Sequence, residues 1–88
     1  MAQIREDAFA EFFHAGGIRN VVLVIEQGRA RIAFSTSEGP RTGVIVTKRG
    51  EVKSYRVETA LAFLRRLGLA QVLIDMQHWE LRQQQLEV

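Results

Sequence analysis

The chain contains no cysteine. Disulfides, thiolate nucleophiles and cysteine-bound zinc are therefore excluded, and the composition fits a reducing cytosol. It contains no long apolar run: the longest, Val21 to Ile25, is far too short to span a bilayer. The first residues, Met1 to Asp7, are charged and lead into no continuous apolar segment, so no secretory signal is read there and a cytoplasmic location is expected. Charge of one sign is barely in excess. Twelve Lys and Arg stand against ten Asp and Glu, giving +2. The overall field is weak, so binding to a polyanion must come from local clustering. Proline occurs once, at Pro40, within the clear loop Ser37 to Gly43.

What is present describes one small globular domain, residues 1–88. The chain is 47% hydrophobic and 25% charged, ordinary values for a folded protein. A domain of this size buries only about 60% of the surface its unfolded chain exposes. Homo-oligomerisation is a common remedy for so thin a core, and a homodimer is expected.

The pattern predicts a helix over Ile4 to Ala15, with Ile4, Ala8, Phe12 and Ala15 on one stripe and Phe9 and Phe13 beside it. Gly16-Gly17 ends it. Ile18 to Gln27 reads as a central strand, apolar on both faces and covered on both. Gln27-Gly28-Arg29 is a turn, and Ala30 to Thr36 a second strand in which Ala30, Ile32 and Phe34 alternate with Arg31, Ala33 and Ser35. A second hairpin is expected from Val44–Thr47 and Val52–Tyr55, closed by Lys48-Arg49-Gly50-Glu51. Val57 to Leu67 reads as an amphipathic helix capped by Gly68, and Leu69 to Met76 as a last strand. Residues 80–88 read as a frayed or weakly helical tail. The expected order is α-β-β-β-β-α-β. The expected fold is α+β: a curved, mainly antiparallel sheet of about five strands (two hairpins and a C-terminal strand) with two helices.

The chemistry-bearing residues are few. Between Arg41 and Arg56 lie five basic side chains, Arg41, Lys48, Arg49, Lys53 and Arg56, and one acid, Glu51. Arg65 and Arg66 are candidates to extend the set. On a hairpin they would meet phosphates, with Tyr55 stacking on a base if exposed. The competing reading is a solvated strand edge, since Lys and Arg also block unwanted sheet pairing. Phe9, Phe12 and Phe13, three phenylalanines within five residues, are divided between core and an interface with a protein partner. His14, Asp75 and His78 make too sparse a set for a metal site, and none is expected. Ser35-Thr36-Ser37 has no base placed for nucleophilic catalysis. No cofactor and no catalytic residues are expected, and the chain is read as a non-enzyme.

The run from Lys48 to Leu69, followed by Val72-Leu73-Ile74-Asp75-Met76, carries a short basic β segment, an aromatic at Tyr55, an Ala-containing helix ending Leu64-Arg65-Arg66-Leu67-Gly68, and a strand ending Ile74-Asp75. In this the C-terminal half resembles small plasmid-encoded ParC-like partition-associated proteins. The resemblance implies an accessory role in plasmid maintenance beside a partition ATPase or another DNA-bound protein, and it carries over no catalytic residues. The expectation is a non-enzymatic DNA-binding accessory protein, with DNA or a DNA-bound protein as partner and no membrane. The alternative is a protein-interaction module or dimerising adaptor that does not touch nucleic acid.

Overall fold

Residues Ala2–Arg5 form a strand, β1, and the chain passes with no loop into a helix, α1, at Glu6–His14. The structure, a computed structural model, describes residues 2–38 and 41–79. The expected tail at 80–88 lies outside the described residues, as do Gly39 and Pro40 of the loop. Local spacing put Ile4 in a helix, but pairing in the sheet overrides it. β1 runs parallel to β4 (Thr42–Val46), with Ile4 beside Ile45.

The buried face of α1 also differs from the expected stripe. Ala8, Phe12 and Ala15 are exposed, whereas Phe9 is fully buried and Phe13 half-buried. Turning the Phe9 and Phe13 side inward removes two rings from water, more apolar area than the alanine side offers. Phe9 contacts the rings of Phe13, Phe34 and Phe63, with centroids 6.4, 5.2 and 6.2 Å away.

β2 (Ile18–Glu26) and β3 (Arg29–Thr36) form the expected first hairpin. Gln27 (φ 49°) and Gly28 (φ 83°) both take left-handed backbone, the turn whose twist suits two-residue hairpins. The second hairpin is shorter than expected. Only Val46 and Val52 bridge across it, and the chain beyond leaves β4. It joins β3 instead, as the two-residue strand β5, Tyr55–Arg56. β5 continues directly into α2, Val57–Leu67, which has the expected limits and ends on Gly68 in left-handed conformation. The last strand, β6, is confined to Leu73–Asp75.

The fold is α+β; the described residues form two helices and one six-stranded sheet ordered β1-β4-β3-β2-β6, with β5 lying against β3. The sheet is mixed, because β1 with β4 and β2 with β6 are parallel pairs. A strand joined to its neighbour through a helix can return parallel, which a tight hairpin cannot do. Both helices pack on one face through a single cluster that includes Phe9, Leu23, Ile32, Ile45, Tyr55 and Leu64. The expected cover on both sides of β2 is not found: no described helix or strand forms a layer over the opposite face. That helix-free face carries the alternate residues, Val22 and Val24 of β2 and Arg29, Arg31 and Ala33 of β3. Among the described residues no helix is long and apolar enough to cross a membrane.

Gly43 pairs with Phe34 across the ladder, and a Cβ there would lie 2.5 Å from Phe34 Cζ and 3.0 Å from the Ala2 carbonyl oxygen. Gly43→Ala should therefore lower stability by about 1–3 kcal/mol through overpacking. The check is a lower urea midpoint at unchanged slope; an unaltered midpoint would mean that Phe34 moves aside freely.

Candidate nucleic-acid interface

The basic side chains are distributed by strand order rather than by sequence proximity. β3 offers one edge to two partners. Its later residues pair with β4 and its first two, Arg29 and Ala30, pair with Arg56 and Tyr55 of β5. Ala30 and Tyr55 face the helices, so Arg29 and Arg56 stand side by side on the helix-free face. Like charges directly opposed across strands are destabilising. Arg29 is held in place all the same: its Nε donates to Ser54 Oγ and its Nη2 to the Ser54 carbonyl, both at 2.9 Å. Next to it Arg31 pairs with Glu26 at 3.0 Å, the one ion pair among the described residues. Between this row and the incoming loop lies a cleft of about 110 Å³, lined in part by Val24, Arg29, Arg31, Val52 and Ser54.

Lys48 and Arg49 are exposed at the tip of the neighbouring loop. The loop is tight: Thr47 N–H donates to the Glu51 carbonyl (2.7 Å) and Gly50 N–H to the Thr47 carbonyl (2.9 Å), with Gly50 at φ 86°. Arg5 ends β1 opposite Val46, on the same helix-free face. The lower border of the sheet thus joins Arg5, Arg29, Lys48, Arg49 and Arg56.

Arg5 and Arg56 share a second property. Each is the last residue of a strand and the N-cap of the helix that follows, and neither makes a side-chain capping hydrogen bond. A cation there opposes the helix dipole and occupies a place where Ser, Thr, Asp or Asn would stabilise the helix. Glu6 and Asp7 in the first turn of α1, and Glu58 in that of α2, offset part of this.

Three expected site residues fall elsewhere. Arg41 sits at the opposite end of the sheet, where its carbonyl accepts from Thr36 N–H; the length of β3, roughly 23 Å by strand rise, separates it from Arg29. Lys53 lies toward the helix side, its Nζ 5.5 Å from the Tyr55 ring centroid. Tyr55 is only 3% exposed and packs against Phe63, so it is a core residue and cannot stack on a base. Arg65 and Arg66 close α2, away from the arginine row.

Of the three phenylalanines divided between core and interface, the structure buries Phe9 and half-buries Phe13 but leaves Phe12 exposed. Phe9 belongs to the core, Phe13 backs onto it, and Phe12, at 40% exposure, lies against Gly17. His14 Nε2 lies 3.4 Å from the Leu67 carbonyl oxygen, and Ser35 Oγ accepts from Asn20 Nδ2. No group of three potential metal-binding side chains occurs among the described residues.

Arg5, Arg29 and Arg31 were missed as site residues. The alternation of β3 already set Arg31 apart from Ile32 and Phe34. Only the pairing of β5 with β3 brings Arg56 to Arg29, and no local signal carries that.

Tyr55 is fixed by its hydroxyl, which donates to Glu6 Oε2 at 2.6 Å. Burial first, then the hydrogen bond and charge of Glu6, push this hydroxyl far above the usual tyrosine range. An unfolded tyrosine ionises near pH 10, so above about that pH the folded chain binds more protons than the unfolded one. Its contribution to stability is complete below about pH 10 and is lost as pH rises beyond. Tyr55 is the sole tyrosine, so tyrosinate absorbance reports it alone. The signal should appear together with loss of circular dichroism; ionisation near pH 10 in an intact fold would contradict the burial argument.

Comparison with known proteins finds no matching family model, no matching curated protein and no matching solved structure.

Proposed function

We propose that the chain is a non-enzymatic, cytoplasmic accessory protein that binds the phosphate backbone of DNA as a homodimer, in plasmid or DNA maintenance. The observation that carries this reading is the Arg29–Arg56 pair. Two cations stand opposite each other across β3 and β5 on an exposed face; Arg29 is anchored by Ser54, and Glu26, its neighbour on β2, bonds to Arg31 and to neither of them. Arrangements that cost stability are retained where they serve binding. A phosphate between the two guanidinium groups would remove their repulsion and accept charge-assisted hydrogen bonds from both. The same anion would lie near the start of α2, where negative charge is favoured. Arg5, Lys48 and Arg49 extend the contact along the border. None of the described strand residues on this face is aromatic, so the expected recognition is of backbone rather than of bases.

Affinity for a duplex should fall steeply with salt. Arg29→Ala with Arg56→Ala should reduce the logarithmic salt slope by about two, whereas Arg41→Ala should leave it unchanged. Fluorescence anisotropy between about 50 and 200 mM salt measures both. Salt-independent or absent binding at the low end sinks the proposal. Arg56→Asn gives a second check with opposite signs, because a proper N-cap returns. The variant should gain about 0.5–1 kcal/mol of stability while binding DNA less tightly; a variant that loses both would show Arg56 to be structural.

One feature favours a second reading, a protein-interaction module without DNA contact. Leu73, Ile74, Met76 and Trp79 are exposed around the free edge of β6. Tight capture of a protein partner by a chain that ignores DNA at low salt would select it.

A further inference from the structure

The two borders of the sheet differ. β1 carries Gln3 and Arg5, and a charged residue is a common guard against edge pairing. The stretch Gly68 to Met76 holds one ionisable side chain, Asp75. Among the described residues the outer side of β6 has no strand partner. Leu73 is 65% exposed, Met76 55%, Ile74 47% and Trp79 38%. Four of the seven large hydrophobic side chains that are exposed among the described residues fall between Leu73 and Trp79, on and just after β6, which makes this a patch rather than scatter.

We propose that β6 pairs antiparallel with β6 of a second copy about a two-fold axis at Leu73, joining two sheets into one. The inference takes up the homodimer of the preceding section and does not require DNA contact. The strand is self-complementary in this register. Leu73 meets its own copy, Val72 opposes Ile74 on the helix side, and Gln71 opposes Asp75 on the other. Charge favours the same orientation. Arg19 and Arg65 line clefts of about 310 and 360 Å³ beside the start of β6, and Asp75 stands at its end. Antiparallel pairing sets the acidic end of one strand against the basic end of the other, whereas parallel pairing would set like against like. With the axis normal to the sheet, both helix-free faces lie on one side. On a flat sheet the two Arg29 residues would then be roughly 35 Å apart by strand spacing and rise, close to the ~34 Å turn of a duplex.

The absence of cysteine makes the test clean. Leu73→Cys, in the full chain, puts one thiol opposite its symmetry mate, within the distance a disulfide spans. Oxidation at low micromolar concentration should give a disulfide-linked dimer, and Gln3→Cys on the other border should not. Light scattering of the unmodified chain should give twice the chain mass. Ile74→Lys should weaken the dimer at least tenfold with circular dichroism unchanged. If that variant misfolds, the cysteine pair decides. A monomeric unmodified chain, or equal cross-linking at both borders, overturns the proposal. So does a monomer that associates only after residues 80–88 are removed, because the chain's own end would then cover the edge. Loss of DNA binding with the dimer intact leaves this inference standing and removes only the DNA reading.

Discussion

β3 divides one edge between two strands, and the rest of the molecule follows from that division. β4 takes the far half and β5 the near half. The chain between them has to leave the sheet and return, which makes the tight turn at Thr47–Glu51. Because β5 is only two residues long and runs straight into α2, the direction of that helix is set by a ladder of two pairs. α2 then lies over β3 and meets α1 through Phe63 and Phe9. Tyr55 closes the arrangement from below, with its ring against Phe63 and its hydroxyl on Glu6 at the start of α1. One buried residue thereby ties a sheet strand, the second helix and the first.

The arrangement also sorts polar from apolar groups. Tyr55 and Ala30 go to the core, so their neighbours Arg56 and Arg29 go to solvent on the opposite face. The described helices lie on one side of the sheet, so among the described residues the other face depends on its own long side chains for cover. Gln3, Arg5, Arg29 and Arg31 surround a floor of valines, and the aliphatic stems of arginine are suited to shielding such a floor while their heads stay wet. Packing and charge placement are thus two results of one alternation.

Much of this was legible from the residues. The first hairpin followed from Gln27-Gly28 between β-branched runs, and α2 from its apolar spacing and Gly68. Both signals are local and strong. β1 was hidden because Ile4 also fits a helical stripe, and only the distant β4 decides between the two. The buried side of α1 was misjudged because spacing weighed alanine equally with phenylalanine. β5 was joined to the wrong partner because a hairpin is the cheapest pairing for nearby segments, while β3 lies some 25 positions away. The candidate site inherited that error. Arg41 and Arg56 looked like members of one cluster by their place in the chain, yet they sit at opposite ends of the sheet. The arginine that does neighbour Arg56 comes from the earlier hairpin.

The placement of arginine at both strand-to-helix junctions gives the molecule two opposed responses to ionic strength. Each of Arg5 and Arg56 stands at the positive end of a helix, and Arg56 faces Arg29 as well. Mobile ions weaken all of these repulsions, since they act between exposed groups over distances comparable to the screening length. Added salt therefore relaxes the strain at these two junctions, while it would loosen any hold on a polyanion. The two junctions are least settled under the conditions in which a polyanion would be held most strongly, and an anion bound there would supply what the sequence withholds.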